Sequence, residues 1–243
     1  MRLTVLGSGD AFGSGGRLQT CLLVEADGHR VLVDCGATSL VALKRQGVDP
    51  ATIEAVLISH LHGDHFGGLP FLLLDGQFRR GERALTIAGP PGIETRVREA
   101  MEVLFPGSSG VRRRFVTTFV EWTAGTAVEI AGARVTPHPV VHPSGAPPFA
   151  LRVEAGGRVL AYSGDTEWTD TLLEAVRGAD VFVCEAYTFE RPIKYHLDYA
   201  TLAAHRAHLD CRRLVLTHMS DDMLAHRAEV SVETAHDGLT IDV

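Results

Sequence analysis

Cysteine is scarce in this chain: 243 residues hold four, Cys21, Cys35, Cys184 and Cys211, and no two stand at Cys-x-x-Cys spacing. That argues against a disulfide framework and against a cysteine-built zinc knuckle; three of the four sit in or beside apolar runs, where a free thiol packs as a small hydrophobe. No apolar run approaches the roughly 18 residues a membrane span needs, so no membrane partner is expected. The stretch Met1 to Gly7 reads as a strand without the apolar core of a signal peptide, which makes the cytoplasm the expected location. Positive charge is in deficit, with 23 Lys and Arg against 30 Asp and Glu for a net −7. Such a chain has no global attraction for nucleic acid or anionic lipid. Low-complexity blocks and Pro-, Gly- or Ser-rich linkers are absent, and residues 1–243 are read as a single domain with a sizeable core. The glycines between Gly7 and Gly16 lack the Lys-Ser/Thr ending of a phosphate loop and read as a tight turn bordering a site.

What is present in unusual density is histidine and aspartate in one place. The run Ser59-His60-Leu61-His62-Gly63-Asp64-His65 carries four metal-ligand side chains in six residues, at the end of the apolar segment Val56-Leu57-Ile58. On a strand, residues two apart share a face, so His60 and His62 converge on one ion. Asp64 and His65 then face a second, with Gly63 allowing the tight turn between. The following stretch, Phe66 to Leu74, reads as a helix that starts just after Asp64 and His65. Imidazole and carboxylate suit borderline cations such as zinc, and two ions about 3.5–4 Å apart clamp a bridging hydroxide. The expected cofactors are two divalent ions, Zn2+ by default, with Mn2+ or Fe2+ compatible with the same donors.

Along the chain, strands are expected at 2–6, 18–26, 30–35 and 55–59, with a helix from Ser39 to Gln46 and another from Pro91 to about Phe105. Asp27-Gly28 and Gly156-Gly157 are hairpin turn signals. The second half reads as strands near 114–122, 127–131, 133–141, 149–155 and 158–163. Helices at 169–177 and 199–209 then alternate with buried strands at 181–184 and 214–216. Two sheets packed face to face with helices outside, a four-layer α/β arrangement, accommodate this order better than one parallel sheet.

Further ligands are expected at strand ends, where rigid scaffolds present them. His142 after Val140-Val141, Asp165 after Ser163-Gly164 and His218 after Leu216-Thr217 are the candidates, and with the first run they complete two ions. His138 shares the strand parity of His142, but His142 stands beside the Pro143-Ser144-Gly145 turn and is preferred. Arg112-Arg113-Arg114 reads as a solvated run.

These residues carry a resemblance. The chain resembles the metallo-β-lactamase superfamily, and within it the ribonuclease Z branch. The motifs are Leu6-Gly7-Ser8-Gly9, Asp34-Cys35-Gly36, the His60 to His65 run, Gly89-Pro90-Pro91-Gly92, Ser163-Gly164-Asp165-Thr166, Cys184-Glu185-Ala186-Tyr187, His196, and Leu216-Thr217-His218-Met219-Ser220. The resemblance implies an αββα sandwich, the metallo-β-lactamase fold. It implies one ion on His60, His62 and His142, another on Asp64, His65 and His218, and Asp165 bridging; Asp64 would also orient the nucleophile. His196 matches a histidine thought to protonate the leaving oxygen or contact the phosphoryl group, in a stretch before a helix that Asp198 caps. Glu185 would hold His196 in its tautomer or form a plain buried ion pair with it. Tyr187 and Asp198 depart from the pattern, which often has Thr or Ser there. Homodimers are common in that branch.

Long-armed enzymes of the branch insert a tRNA-gripping arm between the positions matching His142 and Asp165, but only 22 residues intervene here. With no arm and a net charge of −7, a small phosphodiester or nucleotide is the expected substrate of a phosphodiesterase that uses a metal-bridging hydroxide. The alternatives are a tRNA 3′-processing endoribonuclease, with nucleic acid as the less favoured partner, and a lactonase or β-lactamase-like hydrolase. A flavodiiron protein would carry Glu in place of His62, and a silent scaffold would have lost ligand positions that are intact here.

Overall fold

The computed structural model describes residues Met1–Val243. In chain order the strands are β1 (Arg2–Gly7), β2 (Cys21–Ala26), β3 (His29–Val33), β4 (Ala55–Leu57), β5 (Leu85–Gly89), β6 (Thr117–Glu121), β7 (Val128–Ile130), β8 (Ala133–Pro139), β9 (Phe149–Ala155), β10 (Arg158–Tyr162), β11 (Ala179–Glu185), β12 (Cys211–Thr217), β13 (Glu233–Thr234) and β14 (Thr240–Asp242). The helices are α1 (Ser39–Arg45), α2 (Gly63–Phe66), α3 (Leu69–Arg79), α4 (Ile93–Leu104), α5 (Thr171–Val176), α6 (Tyr199–His205) and α7 (Asp221–Ala225).

Period-two alternation of apolar residues builds four layers from these elements. One face of the strands, with Leu3, Val5, Leu22, Val24, Val33 and Leu57 from the first half and Leu151, Val153, Leu160, Val181, Val183 and Val215 from the second, closes the space between two sheets. The opposite face of the first sheet, Leu23, Leu32, Val56 and Ile87, packs under Leu43 of α1, Leu72 and Leu73 of α3 and Val97 of α4. The opposite face of the second, Ala161, Phe182, Cys184 and Leu216, packs under Leu172 and Val176 of α5, Leu202 of α6 and Met223 of α7. Each sheet has seven strands, in the orders β14-β1-β2-β3-β4-β5-β6 and β13-β12-β11-β10-β9-β8-β7. The fold is the αββα sandwich expected from the sequence. No helix is long and apolar enough to cross a membrane.

Both hairpin signals form two-residue turns, with positive φ at Asp27 and Gly28 (51° and 84°) and at Gly156 and Gly157 (56° and 69°). The parallel pairs β3–β4–β5 and β10–β11–β12 bring their carboxyl ends to one rim of the sandwich, with Val33 opposite Leu57, Tyr162 opposite Val183 and Glu185 opposite Thr217. That rim is where parallel sheets present ligands.

Several boundaries differ from the sequence reading. Asp64 and His65 lie inside the short helix α2, whose Gly67 amide bonds back to Gly63 O at 2.9 Å, and the long helix starts three residues later than expected, at Leu69. Strand β2 starts at Cys21 because Leu18 to Thr20 cross close over Gly7, where the Gln19 carbonyl leaves no room for a Cβ. Strands β5, β13 and β14 and helix α7 were not anticipated. The Leu85–Gly89 run is bounded by a charged loop and a Pro-Pro turn, and β13 and β14 are two or three residues long and defined by their partners.

Candidate metal centre

Strand ends and tight turns deliver every side chain of the cluster. β4 ends at Leu57, and the next carbonyl, Ile58 O, accepts a 2.8 Å bond from the indole of buried Trp122, which fixes the exit of the His60 to His65 run. Asp34, at the end of β3 with φ 57°, accepts from Ser59 N (2.8 Å), Ser59 Oγ (2.8 Å), Tyr162 Oη (2.8 Å) and His65 Nδ1 (2.7 Å). Because a carboxylate only accepts, His65 donates its Nδ1 proton to Asp34 and turns Nε2 toward Asp64 and Asp165. His142 is set in the same way: its Nδ1 donates to Tyr195 O at 2.9 Å. Tyr195 itself stands at φ 72°, with its amide on Glu167 Oε2 at 3.2 Å. His218 follows β12 at φ 55°, its amide held by Ser8 O at 3.1 Å, so the glycine-rich turn after β1 does border the site.

Two groups result. His60, His62 and His142 offer nitrogens that lie within 4.8 Å of one another, and so do the donor atoms of Asp64, His65, Asp165 and His218. Asp165 stands between the groups, 3.3 Å from His65 Nε2, 3.5 Å from His218 Nε2 and 3.8 Å from both His60 Nε2 and His142 Nε2. Asp64 Oδ2 lies 3.2 Å from His218 Nε2 and 3.3 Å from His65 Nε2. A third grouping, Asp165, Glu185, His196 and His218, continues the cluster on one side. His196 Nδ1 bonds Glu185 Oε2 at 3.0 Å, and Glu185 Oε1 accepts from Thr166 N. All seven side chains expected as ligands, with Glu185 and His196, therefore meet in one place. His138 does not: it points to the other face of its sheet, 4.0 Å from Glu174 of α5, while the chain turns after Pro139 and brings His142 to the cluster. Arg112 and Arg114 are exposed in the loop before β6.

The electrostatics are those of imidazoles and carboxylates crowded together away from water. Burial and neighbouring imidazoles push His60 well below the ordinary histidine value, and burial lowers His62 and His142. Burial alone would raise the carboxyls of Asp64 and Asp165, but facing histidines outweigh it: His65 and His218 hold both well below the usual range. Burial opposes the charge on His218, yet Asp165 and Asp64 lift it to about 9. Burial and the Asp165 charge raise Glu185; burial works against His196, but its bond to Glu185 raises it. His60 Nε2, His65 Nε2 and Asp165 Oδ1 are buried with no hydrogen-bond partner. Orphaned imidazole nitrogens facing carboxylate oxygens are a donor set that divalent cations satisfy, and the clusters are consistent with a binuclear metal site.

Asp34, Tyr162 and Tyr195 had no assigned role in the sequence. The Asp34-Cys35-Gly36 motif pointed to the first of them, and no signal marked the other two.

The family described as anti-Pycsar protein Apyc1 has a model that matches residues 1–237. The chain belongs to that family. It is 33% identical over 227 residues to an uncharacterised protein of Mycobacterium tuberculosis, covering 90% of this chain and 81% of that one. It is 28% identical to ribonuclease Z of Anoxybacillus flavithermus, covering 97% and 92% of the two chains. Among solved structures it is similar to the short form of human tRNase Z, with a TM-score of 0.82, 25% identity and coverage of 100% and 99%. The molecule is thus a hydrolase of metallo-β-lactamase fold with a buried His/Asp cluster.

Proposed function

We propose that this hydrolase is a phosphodiesterase acting on a small phosphodiester or nucleotide. The observation that carries the reading is the Glu185–His196 pair beside the cluster, 3.0 Å apart at Nδ1. An alkoxide leaving phosphorus needs a proton, and a histidine held by a carboxylate beside the cluster is placed to supply it. When bound, two divalent cations on His60, His62, His142, Asp64, His65, Asp165 and His218 supply Lewis acidity, lowering the pKa of water and offsetting charge on phosphoryl oxygens. Asp34 and Tyr195 O fix the tautomers of His65 and His142. Asp64 lies on the rim where it orients an attacking water, and Glu185 holds His196 by Nδ1 so that Nε2 is free to give its proton to the leaving oxygen.

The substrate is proposed to be small because only the β9–β10 hairpin stands between His142 and Asp165, and the net charge is −7. tRNA 3′-end processing is the second reading, favoured by the similarity to ribonuclease Z. Turnover of a dinucleoside monophosphate by the zinc-loaded chain, lowered about 10²–10⁴-fold in His196→Ala, is the expected result. A fully loaded wild type that cleaves precursor tRNA but no small diester would favour the second reading; turnover of lactones alone would defeat both.

A further inference from the structure

The Glu185 bond fixes one atom of the His196 imidazole and leaves the tilt of the ring free. What faces the ring is Tyr187, stacked on it with centroids 4.6 Å apart and planes 28° from parallel. The other rings near it, His142 at 4.9 Å and 72° and His218 at 5.9 Å, belong to the cluster. Tyr187 is itself held from both sides: its amide donates to Leu197 O at 2.8 Å, and its carbonyl accepts from the amide (3.0 Å) and hydroxyl of Ser220, the residue that caps α7. The backbone on either side of His196 is tied down as well, through Leu197 O to Tyr187 and through Tyr195 O to His142. Tyr187 also occupies a position where the resemblance expects Thr or Ser, and neither of those side chains has a face to stack.

Resting on the phosphodiesterase reading, we propose that Tyr187 is a positioning residue for His196, its ring setting the imidazole plane so that Nε2 meets the leaving oxygen. The role belongs to the ring and not to the hydroxyl. Misplacing a reacting group by about 1 Å costs on the order of 10²-fold, and the loss appears only where a proton must be delivered.

The test uses the full zinc-loaded chain and two substrates. A dinucleoside monophosphate releases a sugar alkoxide that needs a proton; bis(p-nitrophenyl) phosphate releases a stable phenolate that does not. Tyr187→Ala is expected to lower kcat on the first about 10- to 100-fold with little change in KM, and to leave the second within about threefold. Tyr187→Phe is expected to keep wild-type rates on both. Equal losses on the two substrates, or a phenylalanine variant as poor as alanine, overturn the proposal. A readout independent of turnover is the nitrogen-resolved proton signal of His196 Nδ1–H. It should be sharp and slow to exchange in wild type and Tyr187→Phe, and broadened in Tyr187→Ala; a signal unchanged by alanine overturns the proposal. His196→Ala separates the two readings. If it matches wild type on the dinucleotide, proton donation by His196 fails as a function, while the spectrum still decides whether Tyr187 orders the ring.

Discussion

Asp34 shows how much one side chain carries. It is fully buried and accepts four hydrogen bonds, from the Ser59 amide and hydroxyl, from Tyr162 and from His65. An asparagine in its place must turn an NH2 group toward one of these donors, which frees either the entry to the His60 run or the tautomer of His65. Asp34→Asn is expected to weaken zinc binding about 10- to 100-fold, as loss of a carboxylate behind a histidine ligand does. Competition against a chromophoric chelator measures it, and an unchanged affinity would refute the role. The motif around Asp34 was legible in the sequence, but its partners were not. They depend on the β3–β4 register and on Tyr162 reaching across from the other sheet, and neither is a matter of spacing along the chain. His142 and His138 teach the same lesson from the other side: strand parity admitted both, and only the turn after Pro139 separates them.

At the scale of elements, Asp180 of β11 joins three neighbouring strands. It accepts from the Val159 amide of β10 at 2.9 Å and lies 3.3 Å from both Arg158 and Arg212. The Val159 bond, aided by the two arginines, holds its carboxyl below the ordinary value. The unfolded chain therefore takes up this proton first as pH falls. The stabilisation is complete above about pH 4 and is lost as pH drops through the lower folded value. Asp180→Asn should cost about 1 kcal/mol at neutral pH and flatten the acid limb of stability, as read from urea melts between pH 7 and 2.5; a limb parallel to wild type would count against it. β9, expected at 149–155, and β10, expected at 158–163, match almost residue for residue because a hairpin signal lies between them, while β11 and β12 extend beyond the continuous apolar runs 181–184 and 214–216 that mark them. β13 and β14 are short, and their identity comes from the edge they pair with.

For the whole molecule, the cluster draws residues from both sheets, from Asp34 and His60 in the first half to His142, Asp165 and His218 in the second, so an ion bound there binds only the folded chain. At free zinc about 1,000-fold above the dissociation constant, that linkage is worth roughly 4 kcal/mol. For a chain of this size it corresponds to about 8–16 °C in Tm. Calorimetry with zinc and with a chelator tests this, and a Tm indifferent to chelation would argue against a metal at the cluster. The sandwich and the histidines and aspartates gathered on its rim were readable because alternation and strand-end residues are local patterns; the hydrogen-bonded frame behind the rim is not.

Strand β14 covers the free edge of β1, with Arg2 opposite Asp242 and Thr4 opposite Thr240. During synthesis β1 thus leaves the ribosome long before its outer neighbour does. Until residues 240–242 emerge, the backbone of β1 stands open to any other extended chain, and a strand edge left bare is a template for aggregation. Translation that stalls shortly before those codons leaves the two sheets nearly whole and the molecule adhesive.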